Sequence, residues 1–163
     1  MAEPSGSGGD TAGVVGPPPL IYLGFLVAGW LLGHLWPAAI AGDSVPPAGR
    51  IAAGALVALP GILVAIAGLR QFRRAGTQVR PDRPTTALVV TGIYRYSRNP
   101  LYLALTLMYA GIALALDSLW ALAFLVPVLL VIRYGVIARE EAYLERKFGE
   151  DYRRFKAQVR RWL

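Results

Sequence analysis

Two stretches of this chain concentrate side chains able to do chemistry. Tyr94-Arg95-Tyr96-Ser97-Arg98-Asn99-Pro100-Leu101-Tyr102 alternates aromatic rings with guanidinium groups. Some forty residues later, Arg139-Glu140-Glu141 sets two adjacent carboxylates beside an arginine. Arginine grips a carboxylate through a planar fork, and glutamate accepts from an ammonium or from ribose hydroxyls. A mouth of Arg95, Arg98, Asn99 and Tyr102 facing Glu140 and Glu141 could therefore hold a zwitterion. The same spacing also fits a plain ion pair, Arg98 to Glu140 or Glu141, that clamps two helix ends. Other chemistries are excluded. The chain has no Cys, hence no disulfide, thiolate metal site or Cys nucleophile. It has one His, His34, so a multi-histidine metal or haem centre is excluded, and no metal is expected.

The elements that must position these residues are apolar. The chain has 163 residues, 55% of them hydrophobic and only 17% charged, with a mean hydropathy of +0.46. A soluble domain carries roughly 25% charged residues, and a chain this short cannot hide so much apolar surface from water. Lipid must be part of its solvent. Apolar runs at about 20–40 and 51–69 each match the ~20 residues that cross a bilayer. The run from Leu101 to Ile132 is too long for one crossing, and Asp117-Ser118 divides it into helices at about 101–116 and 119–138. Ser118 or Asp117 can cap the second of these, and Asn99 can cap the first, with Pro100 in its opening turn. Residues 1–19, rich in Gly, Pro and Ser, read as a disordered leader. Residues 20–163 read as a single all-α membrane domain of four helices. A C-terminal amphipathic helix at about 139–160 places Leu144, Phe148, Tyr152 and Phe155 on one face, and Gly149 interrupts it.

The net charge is +7. Of 17 basic residues, 16 lie between helices two and three or beyond the core of helix four, and Arg50 alone lies at the other end. The positive-inside rule makes those two segments and both termini cytoplasmic. It explains the charge without nucleic acid, as topology plus attraction to membrane lipids. His34, Trp30, Trp36 and Trp120 suit the opposite interface, and Trp162 suits the inner one. Gly24, Gly29 and Gly33 are spaced for close helix packing. The connection from Arg70 to Pro100 is long enough to carry function, with Gly76, Pro81, Pro84 and Gly92 as punctuation and an apolar patch at Ala87–Thr91.

Thr91-Gly92-Ile93-Tyr94-Arg95-Tyr96-Ser97-Arg98-Asn99-Pro100-Leu101-Tyr102-Leu103-Ala104, then Arg139-Glu140-Glu141, then Phe148-Gly149-Glu150-Asp151-Tyr152, resembles the isoprenylcysteine carboxyl methyltransferase and phospholipid methyltransferase superfamily. The resemblance spans about residues 50–160. Asn99 stands where that superfamily most often has His and cannot titrate near neutrality. Ala104 stands where Gly is common. The resemblance implies an integral-membrane, S-adenosylmethionine-dependent methyltransferase, in a bacterial-type inner membrane or its equivalent. It implies donor binding by Gly92, Tyr94, Arg98, Asn99, Pro100, Tyr102, Glu140 and Glu141, with Arg98 as the catalytic residue. The acceptor is then lipophilic: an isoprenylcysteine-like carboxylate, a phospholipid amine or a small thiol, none of which the residues select. Its tail is expected against Leu105, Met108, Tyr109, Val128 and Leu129. The alternative is a non-catalytic scaffold whose basic face recruits lipid or a partner, and the residues fix no oligomeric state.

Overall fold

The computed structural model describes residues 11–77 and 85–163. Residues 1–10 and 78–84, with Arg80, Pro81, Arg83 and Pro84, lie outside the described residues. The described chain is helical, without strands. Helix α1 (Pro18–Leu35) opens on Pro17-Pro18-Pro19, whose ring-fixed φ suits a first turn, and stops at Leu35, short of the expected residue 40. Pro37 is the reason, because the residue before a proline leaves the helical region. Helix α2 (Pro47–Arg74) overruns the expected 51–69 at both ends and continues through Pro60. Its end is sealed by Gly76 at φ +63°, with Gly76 N–H donating to the Arg73 carbonyl and Thr77 N–H to the Phe72 carbonyl. This is the glycine-terminated pattern that satisfies a helix's last carbonyls.

Helix α3 (Pro100–Ala115) is followed by α4 (Leu119–Ala123), α5 (Leu125–Val131), a π-helical turn (Ile132–Ile137) and α6 (Ala138–Gln158). The expected helix at 119–138 is thus jointed. Pro127 has no N–H for the Ala123 carbonyl, which explains the break at Phe124. Ser118 caps α4 by accepting from Ala121 N–H. Asn99 does not cap α3; its side chain is engaged elsewhere. Gly149, at φ +53° and ψ −121°, bends α6.

Three helices are long and apolar enough to cross a membrane: Pro18–Leu35, Pro47–Arg74 and Leu119–Gln158. Helix α3 is apolar but has 16 residues, or ~24 Å at the usual helical rise. Leu20, Leu23 and Leu31 on α1, Leu56 and Leu63 on α2, and Val126 and Leu130 on α5 are exposed, as a lipid-facing surface requires.

Helix α2 lies along α3 in the most extensive packing of the molecule. A heptad stripe of buried glycines, Gly54, Gly61 and Gly68, makes this possible. A Cβ on Gly54 would lie 2.7 Å from Ala115 Cβ, and one on Gly111 would lie 2.5 Å from the Gly54 carbonyl oxygen. Such close backbone approach is how apolar helices gain packing when lipid supplies no hydrophobic drive. On the other side, α1 meets α4 at Gly29, where a Cβ would lie 2.7 Å from Ala121 Cα, while Gly24 faces open space.

At the end opposite the basic clusters, Asp117 (φ +50°) turns its carboxylate onto the N–H groups of Ile40, Ala41 and Gly42 at 2.8–3.0 Å. Arg50 joins it at 3.1 Å and also donates to the Gly42 and Val45 carbonyls. The Ala41 N–H, with Arg50, holds the Asp117 carboxyl below its ordinary range. This knot ties the α1–α2 loop to the α3–α4 turn.

Gly54→Ala should force α2 from α3 and lower stability by about 1–3 kcal/mol, whereas Gly24→Ala should be neutral. Thermal melts in one detergent check both.

Candidate functional site

The basic end holds a cavity of about 740 Å³, within the ~300–1,000 Å³ of small-ligand sites. Five segments enclose it, one of them the stretch from Ala12 to Pro19 that leads into α1. Helix α2 contributes Ala65, Leu69 and Phe72, and the following loop contributes Thr85, Ala87, Leu88, Val89 and Tyr94. The start of α3 contributes Arg98, Asn99, Leu101, Tyr102 and Leu105, and α6 contributes Glu140, Glu141, Leu144 and Tyr152. Most of the lining is apolar, with a few charges at one end.

The loop is folded against α6 by a second core of Val89, Tyr94, Tyr152 and Phe155. The amphipathic stripe read in the sequence therefore faces this loop. Gly92, at φ +61°, sits against Gln71, and a Cβ there would collide with that side chain. Gly68 leaves room for Leu101 and the Tyr94 hydroxyl. Tyr94 packs edge-on against Phe72, ring centroids 5.6 Å apart.

Arg98 and Glu141 meet, Nη1 to Oε1, at 3.3 Å. Glu141 is buried and is also held by Arg161, whose Nε and Nη2 lie 3.1 and 2.6 Å from its two oxygens. Two Arg98 nitrogens, Nε and Nη1, are buried without a hydrogen-bond partner; Nη1 stays in the ion pair with Glu141, whose 3.3 Å approach lacks hydrogen-bond geometry. Such atoms are costly unless a ligand satisfies them. Glu140 accepts from the Tyr102 hydroxyl at 2.7 Å and opens onto the cavity. It lies beyond the apolar part of its helix. Burial pushes its carboxyl up to about 7, against the Tyr102 hydrogen bond, with the Glu141 charge adding to the rise.

The C-terminal residues close the site. Arg98 N–H donates to the Arg160 carbonyl at 3.0 Å, and Asn99 Nδ2 donates to the Arg161 carbonyl at 3.0 Å. Ser97 Oγ accepts from Asn99 N–H and donates to the same Arg161 carbonyl. Where a titratable His was the pattern, this chain has an amide that fastens its own C-terminal segment.

Of the residues expected to hold a donor, Tyr94, Arg98, Asn99, Tyr102, Glu140 and Glu141 line this one cavity. Gly92 and Pro100 do not line it; they shape the backbone behind it. The expected tail groove does not form. Tyr109 and Val128 are buried in a core with Tyr22 and Ile132, and Tyr109 donates to the Ala121 carbonyl at 2.8 Å. Met108 faces Gly61 on α2, Leu129 is half-buried outside the cavity, and Leu105 alone of the five reaches it. The reason is that α4 and α5 pack tightly on α1 and α3, leaving no gap there. Sequence reasoning missed Arg161 and Phe72. Twenty residues separate Arg161 from Glu141, and no local pattern signals that pairing. Among the described residues, no cluster of His, Asp or Glu is arranged to hold a metal.

The fold and site define an all-helical protein with membrane-spanning capacity and a charged-ended apolar cavity at its basic end. Residues 49–151 match the phospholipid methyltransferase family, and the chain belongs to that family of membrane methyltransferases. A Haemophilus influenzae protein described as uncharacterized is 48% identical over 63 residues, 39% of this chain and the whole of that protein. No solved structure matches.

Glu140 gives a pH signature. A carboxyl raised in the folded state binds a proton there that the unfolded chain has already lost. Stability from this group is therefore intact below about pH 4.5 and declines as pH rises towards 7. Glu140→Gln should remove that decline, at most ~1.4 kcal/mol per pH unit, and raise the melting temperature at pH 8 relative to the native protein. Melts between pH 5 and 8 check it.

Proposed function

We propose that this protein transfers a methyl group from S-adenosylmethionine to the amine of a membrane phospholipid. The observation that carries the proposal is a buried Arg98 with two unsatisfied nitrogens, set beside carboxylates in an otherwise apolar cavity. A guanidinium with unsatisfied N–H groups suits a carboxylate, and Glu140 suits an ammonium or ribose hydroxyls. Together they fit the two ends of an amino-acid headgroup. Glu141 does not serve the ligand directly. Its charge is committed to Arg98 and Arg161, so it positions Arg98. Tyr94, Phe72 and Tyr102 offer aromatic faces for a purine ring or a cation.

When bound, S-adenosylmethionine supplies a methyl on a sulfonium, which departs from sulfur without acid or covalent help. The residues of this chain then have three tasks. Arg98 and Glu140 fix the donor's orientation, the apolar wall excludes water, and the geometry brings the acceptor into line. The family's description as phospholipid methyltransferases supports a phospholipid amine over an isoprenylcysteine-like carboxylate or a small thiol. In this reading α1, α2, α3 and the α4–α5 helix all cross the membrane. The distribution of basic residues puts the cavity and both termini on the cytoplasmic side.

Purified protein in phosphatidylethanolamine vesicles, given methyl-labelled S-adenosylmethionine, should move label into the extracted lipid. Arg98→Ala should weaken donor affinity about ten- to hundredfold, the effect of losing a charge-assisted hydrogen bond of ~1.5–3 kcal/mol, while remaining folded. A native protein that transfers no label would reject the proposal and favour the lipid-recruiting scaffold.

A further inference from the structure

The cavity has a wall that the charged end does not explain. Ala12, Val14, Gly16 and Pro17 line it together with Pro18 and Pro19 of α1. The expected disordered leader, residues 1–19, is corrected over these residues, which are docked. Two bonds hold the segment across the π-helical turn: Val15 N–H to the Gly135 carbonyl at 3.2 Å, and Arg139 Nη1 to the Gly13 carbonyl at 2.6 Å. Gly135 forms a notch for it, since a Cβ there would lie 2.6 Å from Val15 Cγ2. A π-turn shifts carbonyls out of the regular ladder, and the Gly135 carbonyl is used by this strap.

Opposite the strap stand Ala65 and Leu69 of α2 and Leu101 and Leu105 of α3. Pro19 and Leu69 both line the cavity and are exposed. Helices α1 and α2 each pack on α3 and scarcely touch one another. The cavity therefore reaches the lipid-facing side between them. The family match begins at residue 49, so the strap and α1 lie outside what the match covers.

We infer that the strap, residues 12–19, is the acceptor-selecting wall: with Ala65, Leu69, Leu101 and Leu105 it encloses one hydrocarbon chain of the acceptor, entering between α1 and α2. This rests on the methyl-transfer reading for its activity arm, but its binding arm stands alone. A chain coming from lipid gains close packing against this wall, not release from water, so acceptors are favoured up to the length that fills the space.

Two arms test it. In the first, Gly135→Ala crowds Val15 and unseats the strap without touching the charged end. Acceptor KM for a chain-length series of phosphatidylethanolamines, at fixed surface concentration, should rise severalfold and lose its length preference. Affinity for S-adenosylhomocysteine should stay unchanged, and adding Val15→Ala should restore KM. Arg139→Gln, which frees the Gly13 carbonyl, should act in the same direction should Gly135→Ala fail to fold. Unchanged acceptor KM, equal loss of S-adenosylhomocysteine affinity, or no rescue would overturn the inference. In the second arm, the cysteine-free chain carries Val14→Cys as its single thiol. Didecanoyl phosphatidylethanolamine should slow its alkylation by a water-soluble maleimide, and phosphoethanolamine should not. Equal effects of the two would overturn the wall assignment even in a protein that transfers no methyl group. A protein that binds no S-adenosylhomocysteine but passes this second arm would instead reject the methyl-transfer reading alone.

Discussion

The Glu141 carboxylate is the constraint on which the basic end depends. It is buried, and a buried charge is tolerated only when paired. Two guanidinium groups pair it: Arg98 at the mouth of α3, and Arg161 beyond α6. One anion thereby joins the loop, the helical hairpin and the C-terminal segment. The two cations outnumber the single carboxylate, and Arg98 is left with two nitrogens that make no hydrogen bond. In the proposed reading, the clamp that holds the Arg98 guanidinium also presents it to a ligand.

The rest of the fold serves to bring that mouth together. The glycine stripe of α2 lets α3 approach closely enough for Gly68 to admit Leu101 and the Tyr94 hydroxyl. The Asp117 knot fixes the far end of the hairpin. Between them, Tyr22 bridges α1 to α3 through Thr106 at 2.9 Å. The side of α3 that faces between α1 and α2 is left for the cavity, and the side towards α4 and α5 is filled by Tyr109, Val128 and Ile132.

What was legible in the sequence follows from range. Helix runs, the Ser118 cap, the Gly149 bend and the meeting of Arg98 with Glu141 depend on local composition or on a hairpin whose ends must coincide. The Asn99 cap failed because a long-range acceptor, the Arg161 carbonyl, competed for the same amide. The α3–α5 groove failed because helical periodicity places Tyr109 and Val128 on a face but does not say whether that face is packed. Arg161, Phe72 and the strap were invisible because their partners are distant in sequence, and a Pro/Gly-rich segment looks alike whether it is docked or free.

The central claim is that the Arg98 guanidinium receives a carboxylate. Titration calorimetry of detergent-purified protein with S-adenosylhomocysteine and with its decarboxylated analogue tests it directly. The native protein should bind the carboxylate-bearing ligand about ten- to hundredfold more tightly, and Arg98→Ala should bind the two alike. Equal affinity of the native protein for both would contradict the account.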